Sequence, residues 1–398
     1  MRDSRRTTPN RRRLPAPALA LIALALSAMS PAAAHARAFQ VGCNEAELRQ
    51  ALEEAGFNGE EDVLWLARSC LYPMAGILIA YADSGFPITI QGNGAKVSGK
   101  NQRTALLVNA GTTLYVNQLT LTEGRAGPTA SGEGGAVYNS GSLTLTDSTV
   151  SNSAAYDGGG LYNTANASLT LIRSTVSGNT AGNDGGGIHN KEGRLTLIDS
   201  TVSGNSALGQ LDGLGAGIYN EDRGSAARAV ATLSNCTLSG NASRFGAGIF
   251  NDEGRVTVSH CTISHNTNVA GGNGAGIYHR NYSGAGFFRL GHSVVSDSQG
   301  NPYDCARDPS SPTNQITPTG DNLIEDASCQ VSGAWSGDPK LGPLTGNPAY
   351  RPLLPGSPVI DLTQNANCSG VDQRGVLRPK DGNADGSALC DLGAYEAP

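Results

Sequence analysis

From residue 134 onward, apolar and polar positions recur in a fixed two-part pattern. The first part reads GGAVYN (134–139), GGGLYN (158–163), GGGIHN (185–190), GAGIYN (215–220), GAGIFN (246–251) and GAGIYH (274–279). The second follows each of these as SLTLTDSTVS (142–151), SLTLIRSTVS (168–177), RLTLIDSTVS (194–203), ATLSNCTLS (231–239), RVTVSHCTIS (255–264) and RLGHSVVS (289–296). Weaker relatives precede them at Ile88-Thr89-Ile90, Leu114-Tyr115-Val116 and Leu119-Thr120-Leu121. Every unit carries short runs alternating with period two, separated by Gly, Asn, Ser and Asp, the signature of strands between turns. No unit can bury its apolar side alone. Stacked coils can, each strand pairing with its equivalent one turn later at about 4.8 Å. The pattern therefore predicts an all-β right-handed parallel β-helix of about eight or nine coils, roughly 40 Å long.

Alternation assigns the faces. Val137, Leu161, Ile188, Ile218, Ile249 and Ile277 are expected to point inward, and their neighbours Tyr138, Tyr162, His189, Tyr219, Phe250 and Tyr278 outward. Asn139, Asn163, Asn190, Asn220 and Asn251 fall at a corner, where stacked amides can bond one another. In the second part Ser148, Ser174, Ser200, Cys236, Cys261 and Ser293 share an inward column, preceded by Asp147, Arg173 and Asp199 as a surface ion-pair ladder. Residues 44–56 predict a capping helix over the open end of the rod: Asn44 as N-cap, apolar Leu48, Ala51 and Leu52 on one face, and Gly56 to stop. Four segments follow: a leader (1–38), an N-terminal cap (39–86), the β-helix (87–299) and an irregular C-terminal cap (300–398).

The leader changes the charge. A basic stretch containing Arg2, Arg5, Arg6 and Arg11 to Arg13 precedes the apolar run Leu14 to Met29 and two A-x-A sites ending at Ala36 and Ala38, the order of a secretory signal peptide. It holds 7 of the 28 Lys+Arg and 1 of the 34 Asp+Glu, so cleavage leaves 21 basic against 33 acidic residues, a net of −12. That sign argues against nucleic acid or anionic lipid as partner. After the leader no run of membrane-spanning length follows. The 8 cysteines all lie beyond it. In an exported chain an even number reads as disulfides, with neighbour pairing 43–70, 236–261, 305–329 and 368–390.

The GG-x-[IVL]-Y-N…S-T-V-S-x-N pattern resembles the right-handed β-helix repeat proteins related to bacterial polymorphic outer-membrane proteins. The ending, PGSPVID (355–361), DQRG (372–375), RP (378–379) and CDLGAYE (390–396), is similar to the choice-of-anchor Q domain that closes such exported proteins. The resemblance covers nearly everything after residue 80. It implies a surface or extracellular location and no particular activity. In that group an anchor often follows the AYE motif; here the sequence runs only to Glu396-Ala397-Pro398, which favours release to the periplasm or medium.

Several residue sets invite chemistry. The aromatic column is a candidate ligand platform for sugar rings, or alternatively a stack that stiffens the coil. His189 within it, with Lys191 and Arg194, could supply the base and the uronate-neutralising cation of a polysaccharide lyase. A glycoside hydrolase would need two carboxylates at a defined separation. Glu133, Asp157 and Asp184 precede successive glycine runs, and Glu192, Asp222 and Glu253 follow successive corners. Either set could hold Ca²⁺ or be a solvated acidic edge. No other cofactor is indicated. His260 and His292 share a column, as a weak transition-metal pair or as solvent-facing side chains. Against catalysis, these positions repeat coil after coil with no long insertion to build a cleft. The leading expectation is a secreted, non-catalytic rod contacting an extracellular glycan or surface protein; the alternative is a lyase or hydrolase of acidic polysaccharide.

Overall fold

The computed structural model describes residues 36–127, 132–209, 213–224, 228–300, 303–311, 313–363 and 368–398. Nearly all of the expected leader lies outside the described residues. Three parallel sheets form the walls. A nine-stranded sheet carries the first part of each repeat and runs from Leu78–Ala80 to Cys305–Arg307. A 19-stranded sheet carries the second part, and a five-stranded sheet carries short strands from Ala154–Ala155 to Thr267–Asn273. The fold is a parallel β-helix of about 10 turns. That exceeds the eight or nine coils expected, because irregular strands at both ends join the ladder. Arg37–Val41 pairs with Asp62–Leu66, and Asn322–Ile324 extends the far end.

The core is the one the alternation demands. Val137, Leu161, Ile188, Ile218, Ile249 and Ile277 stand in register one above another, all buried. At the near end the helix Glu45–Ala55 buries Leu48, Ala51, Leu52 and Ala55, and the Asn44 side chain accepts from the Ala46 amide. Cys43–Cys70 ties this cap down, and Cys305–Cys329 and Cys368–Cys390 brace the far part.

The corner asparagines form a continuous buried ladder. Each Nδ2 donates to the next Oδ1, from Asn139 to Asn163, Asn190, Asn220 and Asn251, at 2.7–2.8 Å. A second ladder was not foreseen: Asn179, Asn205, Asn241 and Asn266, the last residue of each S-x-N, bond likewise at 3.0 Å. Both replace backbone pairing where the chain turns, so buried polar groups at the corners keep partners.

The second part of each repeat bends sharply. Asp147, Arg173, Asp199, Asn235, His260 and His292 all adopt left-handed φ, between 45° and 53°. The next residue holds that strained bend. Ser148, Ser174 and Ser200 each donate to the carbonyl two residues back at 2.7–2.9 Å, and the Ser148 and Ser174 hydroxyls take amides from their neighbouring coils. Cys236 and Cys261 do the same with sulfur: each thiol bonds the carbonyl two residues back, and the Cys236 amide donates to Cys261 Sγ. This corrects the expected 236–261 disulfide. Both are free buried thiols, standing in for serine hydroxyls, and burial pushes the Cys236 thiol well up.

The chain beyond about residue 339 folds back along the outside of the rod. Gln373 accepts from Thr237 Oγ1 and donates to Thr201 Oγ1, 2.6 and 2.9 Å. The Arg351 guanidinium bonds Ser239, the Asn235 amide donates to Val371, and the Ala394 amide donates to Thr262 Oγ1. This layer also covers His260 and His292, whose rings stack at 4.8 Å. They are buried and not solvent-facing as expected.

Candidate functional site

The aromatic column occupies the outward side of its strands, as alternation requires, but beyond Tyr138 it is closed to solvent. Tyr162, His189, Tyr219, Phe250 and Tyr278 are buried and Tyr138 half-buried. The rings pack in one file, centroids 4.8–5.6 Å apart from Tyr138 to Tyr278. The covering element is the glycine turn before each strand. Gly185 adopts φ +66°, and a Cβ placed on it would stand 2.7 Å from the His189 Cβ. A turn of this shape lies flat against the strand only if its first residue is glycine. The sequence had shown those glycines, but alternation says only which side a ring takes, not what covers it. The expected ligand platform is therefore a second, lateral core.

His189 sits in the middle of it, edge-on between Tyr162 and Tyr219. Its Nε2 lies 3.0 Å from Glu221 Oε2, and its Nδ1 is buried with no hydrogen-bond partner among the described residues. Glu221 follows Asn220 in the adjacent strand, where the register sets it beside Lys191. Burial raises the Glu221 carboxyl, but hydrogen bonds and charge from His189 and Arg223 outweigh that and hold it at about 2. Asp184 nearby is pushed up to about 6, chiefly by burial and against the charge of His189 and the Leu214 amide, with Asp157 and Glu221 adding repulsion. Burial and neighbouring carboxylates also raise Tyr162 and Tyr219. A carboxylate-oriented histidine beside two phenols is a recognisable acid–base set. It is enclosed: the side chains of His189 and Glu221 are 2% and 4% exposed.

The remaining candidates divide. Lys191 reaches only the Tyr162 ring face, its Nζ 6.0 Å from the centroid. Arg194 lies away from the histidine, solvent-facing at the start of its long-sheet strand. Glu133 and Asp157 pair as a parallel bridge, and Asp184 lies one coil further along that column. The oxygens of Asp157 and Asp184 accept from Asn183 Nδ2 and from the Asp184 and Leu214 amides. In the second set Glu192 pairs with Arg228, Asp222 accepts the Gly224 and Ala229 amides, and Glu253 accepts those of Tyr282 and Ser283. Asp157, Asp184, Glu192 and Glu253 tie one coil to the next and Asp222 fastens its own loop, an engagement unlike a Ca²⁺ ligand shell. Among the described residues no group of three His, Cys, Asp or Glu could hold a metal ion.

The feature that residue-by-residue reading missed is a flat hydroxyl-bearing face. On the long sheet Thr144, Thr170, Thr196, Thr232 and Thr257 pair in register and point outward, at least partly exposed. The repeated L-T-L and its variants carried this signal.

Residues 173–191 match the Chlamydia polymorphic membrane protein repeat. No curated protein matches the chain. Together with the β-helix, that short match suggests a surface- or outer-membrane-associated protein. The disulfides fit an extracellular location. Among the described residues no helix is long and apolar enough to cross a membrane.

Proposed function

We propose that this chain is an exported β-helix that works at the cell exterior without catalysis, through adhesion or glycan contact. The signal-peptide pattern of residues 1–38 and the choice-of-anchor Q-like ending support that placement. The observation that carries the reading is the open threonine column on consecutive turns, set against the enclosure of His189 and Glu221. A flat file of hydroxyls every 4.8 Å or so suits many weak, repeated polar contacts to an extended chain. The file itself is a surface of repeated hydroxyls rather than an enclosure in which a reacting bond would be desolvated.

Retention on a panel of immobilised neutral and acidic polysaccharides is the test. Wild-type protein should be retained, and Thr170→Val with Thr232→Val should weaken retention without changing the melting temperature. The competing reading, a lyase or glycosidase, rests on the His189–Glu221 pair. Release of unsaturated or reducing ends that His189→Gln abolishes would establish it and sink the binding reading.

A further inference from the structure

We propose that the long-sheet face carries an anion-binding groove, built on Arg194, Arg228 and Arg255, that takes the carboxylates of an acidic polysaccharide; this rests on the glycan-contact reading above. Register places Arg194, Val230 and Arg255 on three successive rungs at the start of the face. They line a cavity of about 430 Å³ together with Arg228 and Glu192. Among the described residues Glu192 is the only carboxylate lining it, and it is committed to Arg228. No hydrogen bond or ion pair engages the guanidinium of Arg194 or Arg255 among the described residues, and both side chains are exposed. The groove thus keeps a net positive charge on a chain with 34 acidic residues.

From Ser142 to Ser259 the face presents Ser, Thr, Ile, Val and Arg, and no Asp or Glu. Acidic side chains border it only at the far edge of the strands, where Asp147 is paired with Arg173 and Asp199 follows Ile198. Arg194 and Arg255 are two rungs apart, roughly 9–10 Å by strand spacing, with the hydroxyls of Thr196, Thr232 and Thr257 alongside. That is charge spaced sparsely and hydroxyls spaced densely, the pattern of a polyuronate. Duplex DNA brings charge far more densely, about one per 1.7 Å, and a single strand favours aromatic platforms, which these three strands lack. A guanidinium fork also matches a carboxylate in two parallel hydrogen bonds, which a lysine cannot do.

The experiment measures binding of purified protein to polygalacturonate, to neutral dextran and to single-stranded DNA. It compares wild type, Arg194→Ala with Arg255→Ala, and a charge-matched control, Lys96→Ala with Arg173→Ala. The expected result is retention on polygalacturonate that weakens with salt and falls at least about tenfold in the first double variant only. Equal loss in both double variants, or equal retention of DNA, overturns the proposal as mere charge attraction. Retention on dextran alone overturns it and leaves the glycan-contact reading standing. Retention on neither polysaccharide removes both.

Discussion

The same four residues, Ser-Thr-Val-Ser, occur at 148–151, 174–177 and 200–203. In the first two copies Thr149, Ser151, Thr175 and Ser177 are half-exposed, whereas Thr201 is fully buried and Ser203 nearly so. Further along, Thr237, Thr262 and Val294 in the same column are buried too. Backbone and register do not differ between these copies. The difference is the C-terminal layer, which begins to cover this column at Thr201. Burial in a solenoid is thus decided twice, inward by alternation and outward by whatever the rest of the chain lays on top.

The layer is held by the residues that make its motifs. Asp372 accepts the Arg374, Val376 and Glu396 amides. Arg374 packs its guanidinium 3.7 Å from the Tyr395 ring centroid. Arg378, fully enclosed, pairs with Glu396 at 3.4 Å and donates to the carbonyls of Asp391 and Gly393. The DQRG, RP and CDLGAYE segments are therefore one fastening that closes on itself, with Gln373 reaching out to the rod.

The comparison breaks most severely at that fastening. Arg378→Ala leaves Glu396 buried without its cation, at about 3–5 kcal/mol. Hydrogen exchange should then rise at Thr201, Thr237 and Thr262 and stay unchanged at Thr149 and Thr175. Equal change in both groups would show that the layer does not separate them. Acidity is the next lever. Burial lifts Asp391 to about 7 and also raises Glu396. A carboxyl raised above its unfolded value of about 3.9 favours the docked state when protonated. Its contribution is full below that value and is lost as pH rises through about 7, up to about 4 kcal/mol for Asp391. Exchange at the covered threonines, corrected for intrinsic rates, should be slower at pH 5.5 than at pH 8.

Two further variants sharpen what the regions share. Asn205→Ala removes a rung of the second ladder, stranding the Asn179 amide and the Val176 carbonyl. It should lower the unfolding free energy from denaturant titration by about 3 kcal/mol and loosen bare and covered turns alike. Cys236→Ser should change stability by less than about 1 kcal/mol, since the hydroxyl resumes the pattern of the column. Alkylation without reductant should label Cys236 and Cys261 only after unfolding; resistance there would restore the disulfide. Smallest of all, Arg173→Ala breaks the half-exposed pair with Asp147 and should shift stability by under about 1 kcal/mol.

The sequence by itself determined the coil, the inward aliphatic columns, the first asparagine ladder and the capping helix. Each follows from spacing along the chain, because side-chain alternation and coil stacking are local rules repeated turn after turn. The tertiary structure alone decided which outward residues meet water. It enclosed the Tyr162–His189–Tyr219 file beneath glycine turns, hid His260 and His292 under the returning tail, and left Arg194, Arg255 and the threonine column open. Those outcomes depend on segments far apart in sequence meeting on one face. Period-two alternation records the side of the strand and carries no information about what lies beyond it.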